Sequence, residues 1–105
     1  MKVLYHIGND VNSDTVFEQT VLHKENNGIY METVAGKLDF SDLSDVQIFK
    51  MHRLGTMLKL TIVNSTIFLI VPRLYINIGS GFVIVNVMAT YKLKKELECV
   101  MKNKS

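Results

Sequence analysis

From Met57 to Val63 apolar and polar side chains alternate, with Leu58, Leu60 and Ile62 on one face and Lys59 and Thr61 on the other. That period of two is the mark of a half-buried strand. Asn64-Ser65 then turns the chain into an unbroken β-rich run, Thr66 to Val71, so the two segments predict a hairpin. The same reading applied upstream predicts strands over Lys2–Ile7 and Thr15–His23. It also predicts a hairpin of Ile29–Val34 with Lys37–Phe40 across Ala35-Gly36, and a strand over Val46–Arg53 that turns at Leu54-Gly55-Thr56. Pro72 has no N–H for a ladder and marks a strand end or an edge.

The period changes in the last third. Gly79-Ser80-Gly81 precedes one more apolar run, Phe82 to Val85, and from about Asn86 to Met101 the spacing becomes helical, with Leu93, Leu97, Val100 and Met101 on one side. Asn86 and Thr90 are the candidate caps, and Lys92, Lys95, Glu96 and Lys102 occupy the opposite side. A short amphipathic helix gains most of its stability from packing, so this one is expected to lie on the sheet, with residues 102–105 frayed beyond it.

The stretch "LDFSDLSDVQIF", Leu38 to Phe49, interrupts two strands with two Ser-Asp pairs around a leucine. Ser and Asp side chains bond to nearby backbone amides and favour turns, which predicts one tight helical turn with Leu43 pointing inward and Asp42 and Ser44 outside. A strand-rich chain ending in one helix must deal with its sheet edges, and strong bending plus a helix across the open end does so. The expected fold is therefore mainly β: a strongly bent antiparallel sheet, or small barrel-like roll, capped by one C-terminal α-helix.

Composition limits the rest. With 105 residues and 48% hydrophobic content, one core is affordable and residues 1–105 are expected to form a single domain. The single cysteine, Cys99, cannot make an internal disulfide, and "MKVLYHIGND" has no apolar run of signal-peptide length, which together predict a cytoplasmic setting. The apolar region Thr61–Val85 is broken by Asn64, Ser65, Pro72, Arg73, Asn77 and Gly79-Ser80-Gly81, so no stretch of about 18 apolar residues survives to span a membrane.

Charge divides the chain. Through Asp45 three lysines face eight acids, a balance of −5; from Val46 onward nine basic residues face two acids, a balance of +7. Such asymmetry is compatible with an anionic partner for the second half, although scattered surface charge is the plainer account. The candidate anionic-ligand residues are Lys50, His52 and Arg53 around the Leu54-Gly55-Thr56 turn, together with Arg73. Solvated hairpin-tip charges would look the same.

Motifs that would carry chemistry are thin. His6, His23 and His52 are dispersed, without a pair at metal-ligand spacing, and Cys99 sits within the helical pattern beside Val100. Asp39, Asp42 and Asp45 crowd one segment without the glycine and glutamate of a calcium loop, and Gly79-Ser80-Gly81 lacks the third glycine and the Gly-Lys-Ser/Thr of phosphate loops. No metal or other cofactor is implied, and no residue is assigned a catalytic role. Basic residues without interleaved aromatics give no reason to expect nucleic acid.

Several elements in order resemble the bacterial pleckstrin-homology-like and GRAM-like domains. They are the "GIY" strand start at Gly28-Ile29-Tyr30, the hairpin after it, "LDFSDLSDVQI", the "LKLTI" strand at Leu58–Ile62 and the closing "YKLKKELE", Tyr91–Glu98. The resemblance runs from about Gly28 to the end. It implies a seven-stranded, strongly bent sheet capped by a helix, used to bind lipids, peptides or proteins rather than for catalysis. Phosphoinositide-binding members usually carry basic residues on the first hairpin. Here Gly8–Asp14 holds Asp10 and Asp14 and no Lys or Arg, so binding by that route is not expected.

These readings favour a non-catalytic module that associates with itself or with another protein, with a peripheral binder of anionic lipid or another anionic ligand as the rival. Ile67–Val71 and Phe82–Val85 are apolar on both faces, which a one-layer roll would leave half uncovered. A homo-oligomer is the expected cover, with Ile76, Ile78, Phe82 and Ile84 as its candidate surface.

Overall fold

A computed structural model describes residues 1–12, 15–25, 28–51, 55–73 and 85–102. Among them, seven antiparallel strands form one sheet: β1 (Lys2–Ile7), β2 (Glu18–Glu25), β3 (Gly28–Thr33), β4 (Gly36–Asp39), β5 (Leu43–Met51), β6 (Gly55–Ile62) and β7 (Ser65–Ile70), in the order β4-β3-β2-β1-β7-β6-β5. The sheet curls into a half-barrel, and one helix, α1 (Val87–Lys102), ends the described chain. The mainly β, helix-capped architecture read from the sequence is thus observed.

β2 changes partner along its length. Glu18–Val21 pairs with β1 and Leu22–Glu25 with β3. At the hand-off the Thr20 hydroxyl donates to the Glu32 carbonyl at 2.7 Å, occupying an acceptor beyond the end of the β2–β3 ladder. Thr15, expected in this strand, lies outside it: its amide donates to the Asn12 carbonyl and its Oγ1 accepts from the Asn12 amide, a local turn that competes with extended pairing.

The Ser-Asp segment folds as a single 3₁₀ turn, Phe40–Asp42, whose first orphan amide, Ser41 N–H, donates to Asp39 Oδ1 at 2.9 Å. Leu43 is 3% exposed between exposed Asp42 and Ser44, as expected, and Phe40 is fully buried beside it. The second serine has its own task. The register slips between Leu43 and Asp45, leaving Ser44 as the extra residue of a bulge, and its hydroxyl donates to the Thr61 carbonyl.

Turn positions differ from expectation by a residue or so. β3 and β4 join through Val34-Ala35, and Gly36 opens β4 at φ +115. Gly55 (φ +79) and Thr56, expected in the turn, belong to β6, opposite Met51 and Lys50; Leu54 lies outside the described residues. The β6–β7 turn is Val63-Asn64, with Val63 at φ 53. Pro72 stands at a strand end in an isolated bridge to Val85.

α1 starts as read. Asn86 Oδ1 accepts from the Ala89 amide at 3.1 Å, an N-cap, while its own N–H donates to the Val71 carbonyl and ties the helix start to the end of β7. Thr90 is buried inside the helix, its hydroxyl on the Asn86 carbonyl, rather than a cap. Lys102 is the last helical residue, not part of a frayed tail; 103–105 lie outside the described residues.

Two apolar clusters hold the sheet. The larger, on the face that α1 covers, joins Val3 and Tyr5 of β1 to Met31, Leu58, Leu60, Leu69, Leu93 and Leu97, with Tyr5 Oη accepting from the Val34 amide at 2.9 Å. The smaller, on the opposite face, is Leu4, Val11, Phe17, Met57, Phe68 and Ile70, against which half-buried Phe49 and Val85 pack. This corrects one premise. Ile67 to Val71 are all at most 3% exposed, because Val11 and Phe17 of the β1–β2 connection fold over the second face. The apolar faces of β7 need no partner chain.

Candidate functional site

Of the candidate anionic-ligand residues, Lys50 and Arg73 are described and exposed, while His52 and Arg53 lie outside the described residues. So do all four candidate assembly residues, Ile76, Ile78, Phe82 and Ile84. The register shows what else meets Lys50 and Arg73. Lys50 stands opposite Thr56; the neighbouring pair is Met51–Gly55, and a Cβ built on Gly55 would come 3.4 Å from Val85 Cγ2. Val85 bridges Pro72, next to Arg73, and Asn86 then opens α1. The end of β5, the end of β7 and the start of α1 therefore share one end of the sheet.

That end is apolar as well as basic. Val87, Met88 and Tyr91 in the first turns of α1 are exposed, Met88 at 84%, and with Lys92 and Lys95 they line an open pocket of about 330 Å³. No acid occurs between Val46 and Lys95. The two acids that follow are both engaged, Glu96 in an ion pair with Lys24 of β2 and Glu98 with Lys94 on the helix itself at 3.2 Å. Lys50, Arg73, Lys92 and Lys95 make no ion pair among the described residues. The hydropathy pattern marked Lys92 and Lys95 only as a polar helix face; their place beside Met88 and Tyr91 was there to read from the three- and four-residue spacing.

A second exposed feature is the pair of sheet edges. Among the described residues the sheet ends in β4 on one side and β5 on the other, and no ladder joins them. An edge strand carries a row of unpaired N–H and C=O groups, a hazard that shortness limits. β4, with four residues, has that protection, whereas β5 has nine.

The third is a ladder across the sheet face. His23 stacks on Tyr30 with ring centroids 4.9 Å apart, Lys37 Nζ lies 4.3 Å from the same ring's centre, and Tyr30 Oη donates to Glu25 Oε1 at 3.1 Å. The Tyr30 phenol is raised above its ordinary pKa, first by lost hydration, then by the bond to Glu25 and the charges of Glu25 and Glu32. His6 packs against Phe17, so both described histidines serve aromatic contacts. No group of three His, Cys, Asp or Glu residues positioned to hold a metal occurs among the described residues, and Cys99 is exposed on α1.

No helix among the described residues is long and apolar enough to cross a membrane. Compared with protein-family models, curated proteins and solved structures, the chain matches none.

Proposed function

We propose that this chain is a non-catalytic, PH-like binding module that works in the cytoplasm by associating with a second protein chain, in the first place another copy of itself. The observation that supports this reading is the edge strand β5, nine residues long without a proline and unpaired on its outer side among the described residues. Main-chain pairing along such an edge supplies affinity without a pocket or a reactive group. The seven-stranded, helix-capped sheet is the architecture that the resemblance to pleckstrin-homology-like and GRAM-like domains implies, and it supports that assignment. Light scattering of the full chain at micromolar concentration tests the reading. A particle larger than the 12.0 kDa chain is expected, and a monomer throughout would overturn self-association.

The basic, apolar-tipped start of α1 favours a second reading, contact with an anionic bilayer. Lysines and arginines near an anionic leaflet contribute about 1 kcal/mol each, and apolar tips such as Met88 and Tyr91 add insertion into the headgroup region. The chain has no tryptophan, so Met88→Trp installs a single reporter at an exposed position. Its emission should shift to the blue with vesicles of phosphatidylcholine and phosphatidylserine, but not with phosphatidylcholine alone, and Lys92→Glu with Lys95→Glu should abolish the shift. No shift with either vesicle would dismiss this reading.

A further inference from the structure

We infer that β5 pairs antiparallel with β5 of a second copy across a two-fold axis at Gln47, joining two seven-stranded sheets into one. The inference rests on the association reading and names its surface, symmetry and register. Of the two edges only β5 offers a long ladder, since β4 has four residues. Charge then sets the direction. β5 begins beside Asp42 and carries Asp45 near its start, while Lys50 stands near its end and the residues from Val46 to Phe49 are uncharged. Parallel pairing would lay acid beside acid and lysine beside lysine; antiparallel pairing about Gln47 sets Asp45 opposite the partner's uncharged Phe49 and keeps the like charges of the two strands apart.

Direction in turn sets symmetry. A strand paired antiparallel with its own copy about an axis normal to the sheet uses the same patch twice, so the assembly closes as a dimer instead of growing into a filament. Such an axis requires directly opposed residues to face the same side. Gln47 is the midpoint of Leu43–Met51, so the axis there gives the greatest overlap. It sets Val46 opposite the partner's Ile48 on the face that α1 covers, where both side chains already contribute to the larger cluster. The bulge at Ser44, whose hydroxyl is committed to Thr61 within its own chain, ends the regular ladder at one side and leaves Asp45 to Phe49 as the pairing segment.

Opposed Cα atoms in antiparallel pairs lie about 4.5–5.5 Å apart, within the range a disulfide spans. Gln47 is exposed, its side-chain amide donating to Asp45 Oδ2 at 2.8 Å, so substitution there leaves the core intact. In a full chain carrying Cys99→Ser, Gln47→Cys should form a covalent dimer under mild oxidation. Lys50→Cys in the same background should not, because antiparallel register puts the two copies of position 50 at opposite ends of the ladder. Without any cysteine added, Gln47→Lys sets like charges face to face and should weaken dimerisation by up to about fivefold, with an unchanged melting temperature of the monomer as the check on folding. An oligomeric wild type that ignores Gln47→Lys and gives no Gln47→Cys crosslink overturns the β5 interface while leaving self-association standing. Crosslinking through Lys50→Cys overturns the register. A wild type monomeric at all concentrations removes both the inference and the reading beneath it.

Discussion

Val63 is a β-branched residue at φ 53, the only non-glycine residue with positive φ among those described, and it is 68% exposed at the tip of the β6–β7 hairpin. Left-handed backbone costs an ordinary L-residue about 1–2 kcal/mol, whereas asparagine visits it readily. Val63→Asn removes most of that strain. It also gives up the third of the valine surface that is covered, about 0.7 kcal/mol at roughly 2 kcal/mol for full burial of such a side chain. The net expectation is a gain of about 0.5–1 kcal/mol, or a few degrees in Tm for a chain of this size. Val63→Gly relieves the same strain but adds about 0.5–1 kcal/mol of unfolded-state entropy, so it should come out near neutral. Val63→Ala keeps its Cβ, loses the covered surface and should gain nothing. Thermal melts followed by far-ultraviolet circular dichroism, with urea titrations at constant m-value, order the three variants. If asparagine proves no better than alanine, the left-handed turn at Val63 is wrong, and with it the register of the hairpin.

Leu97 is fully buried under α1, so Leu97→Asp should cost at least about 3 kcal/mol through an unpaired buried charge, against about 0.5 kcal/mol or less for Cys99→Asp on the exposed face; equal melts for the two would reverse the helix orientation. Asn86→Ala removes the N-cap and should lower stability by about 1 kcal/mol in urea unfolding. The raised pKa of Tyr30 means the folded state holds its proton more tightly, so this group's contribution is complete below the ordinary tyrosine range and is lost as pH rises through the raised value. An NMR titration of Tyr30 should move toward the ordinary value in Glu25→Gln, and an unmoved midpoint would remove Glu25 as a cause.

The strands, the terminal helix and the Leu43 corner were legible in the sequence because each depends on short-range chemistry. Alternation sorts Leu58, Leu60 and Ile62 from Lys59 and Thr61, helical spacing aligns Leu93 with Leu97, and Ser-Asp pairs serve nearby amides. Turn boundaries slipped by a residue where ladder pairing outweighed local preference, as when Gly55 and Thr56 joined β6 and a valine accepted positive φ. The candidate site was legible only in part. Lys50 and Arg73 stood out as charges, but that they share an end of the sheet with the start of α1 depends on the Pro72–Val85 bridge, a contact between positions distant in sequence. Strand order likewise has no local signature, so only the tertiary structure decided that β4 and β5 are the edges and that, among the described residues, the longer one is left unpaired. The sequence shows that β7 has two apolar faces; that Val11 and Phe17 cover the second is decided by how a connecting loop folds back, since burial is a property of the assembled chain.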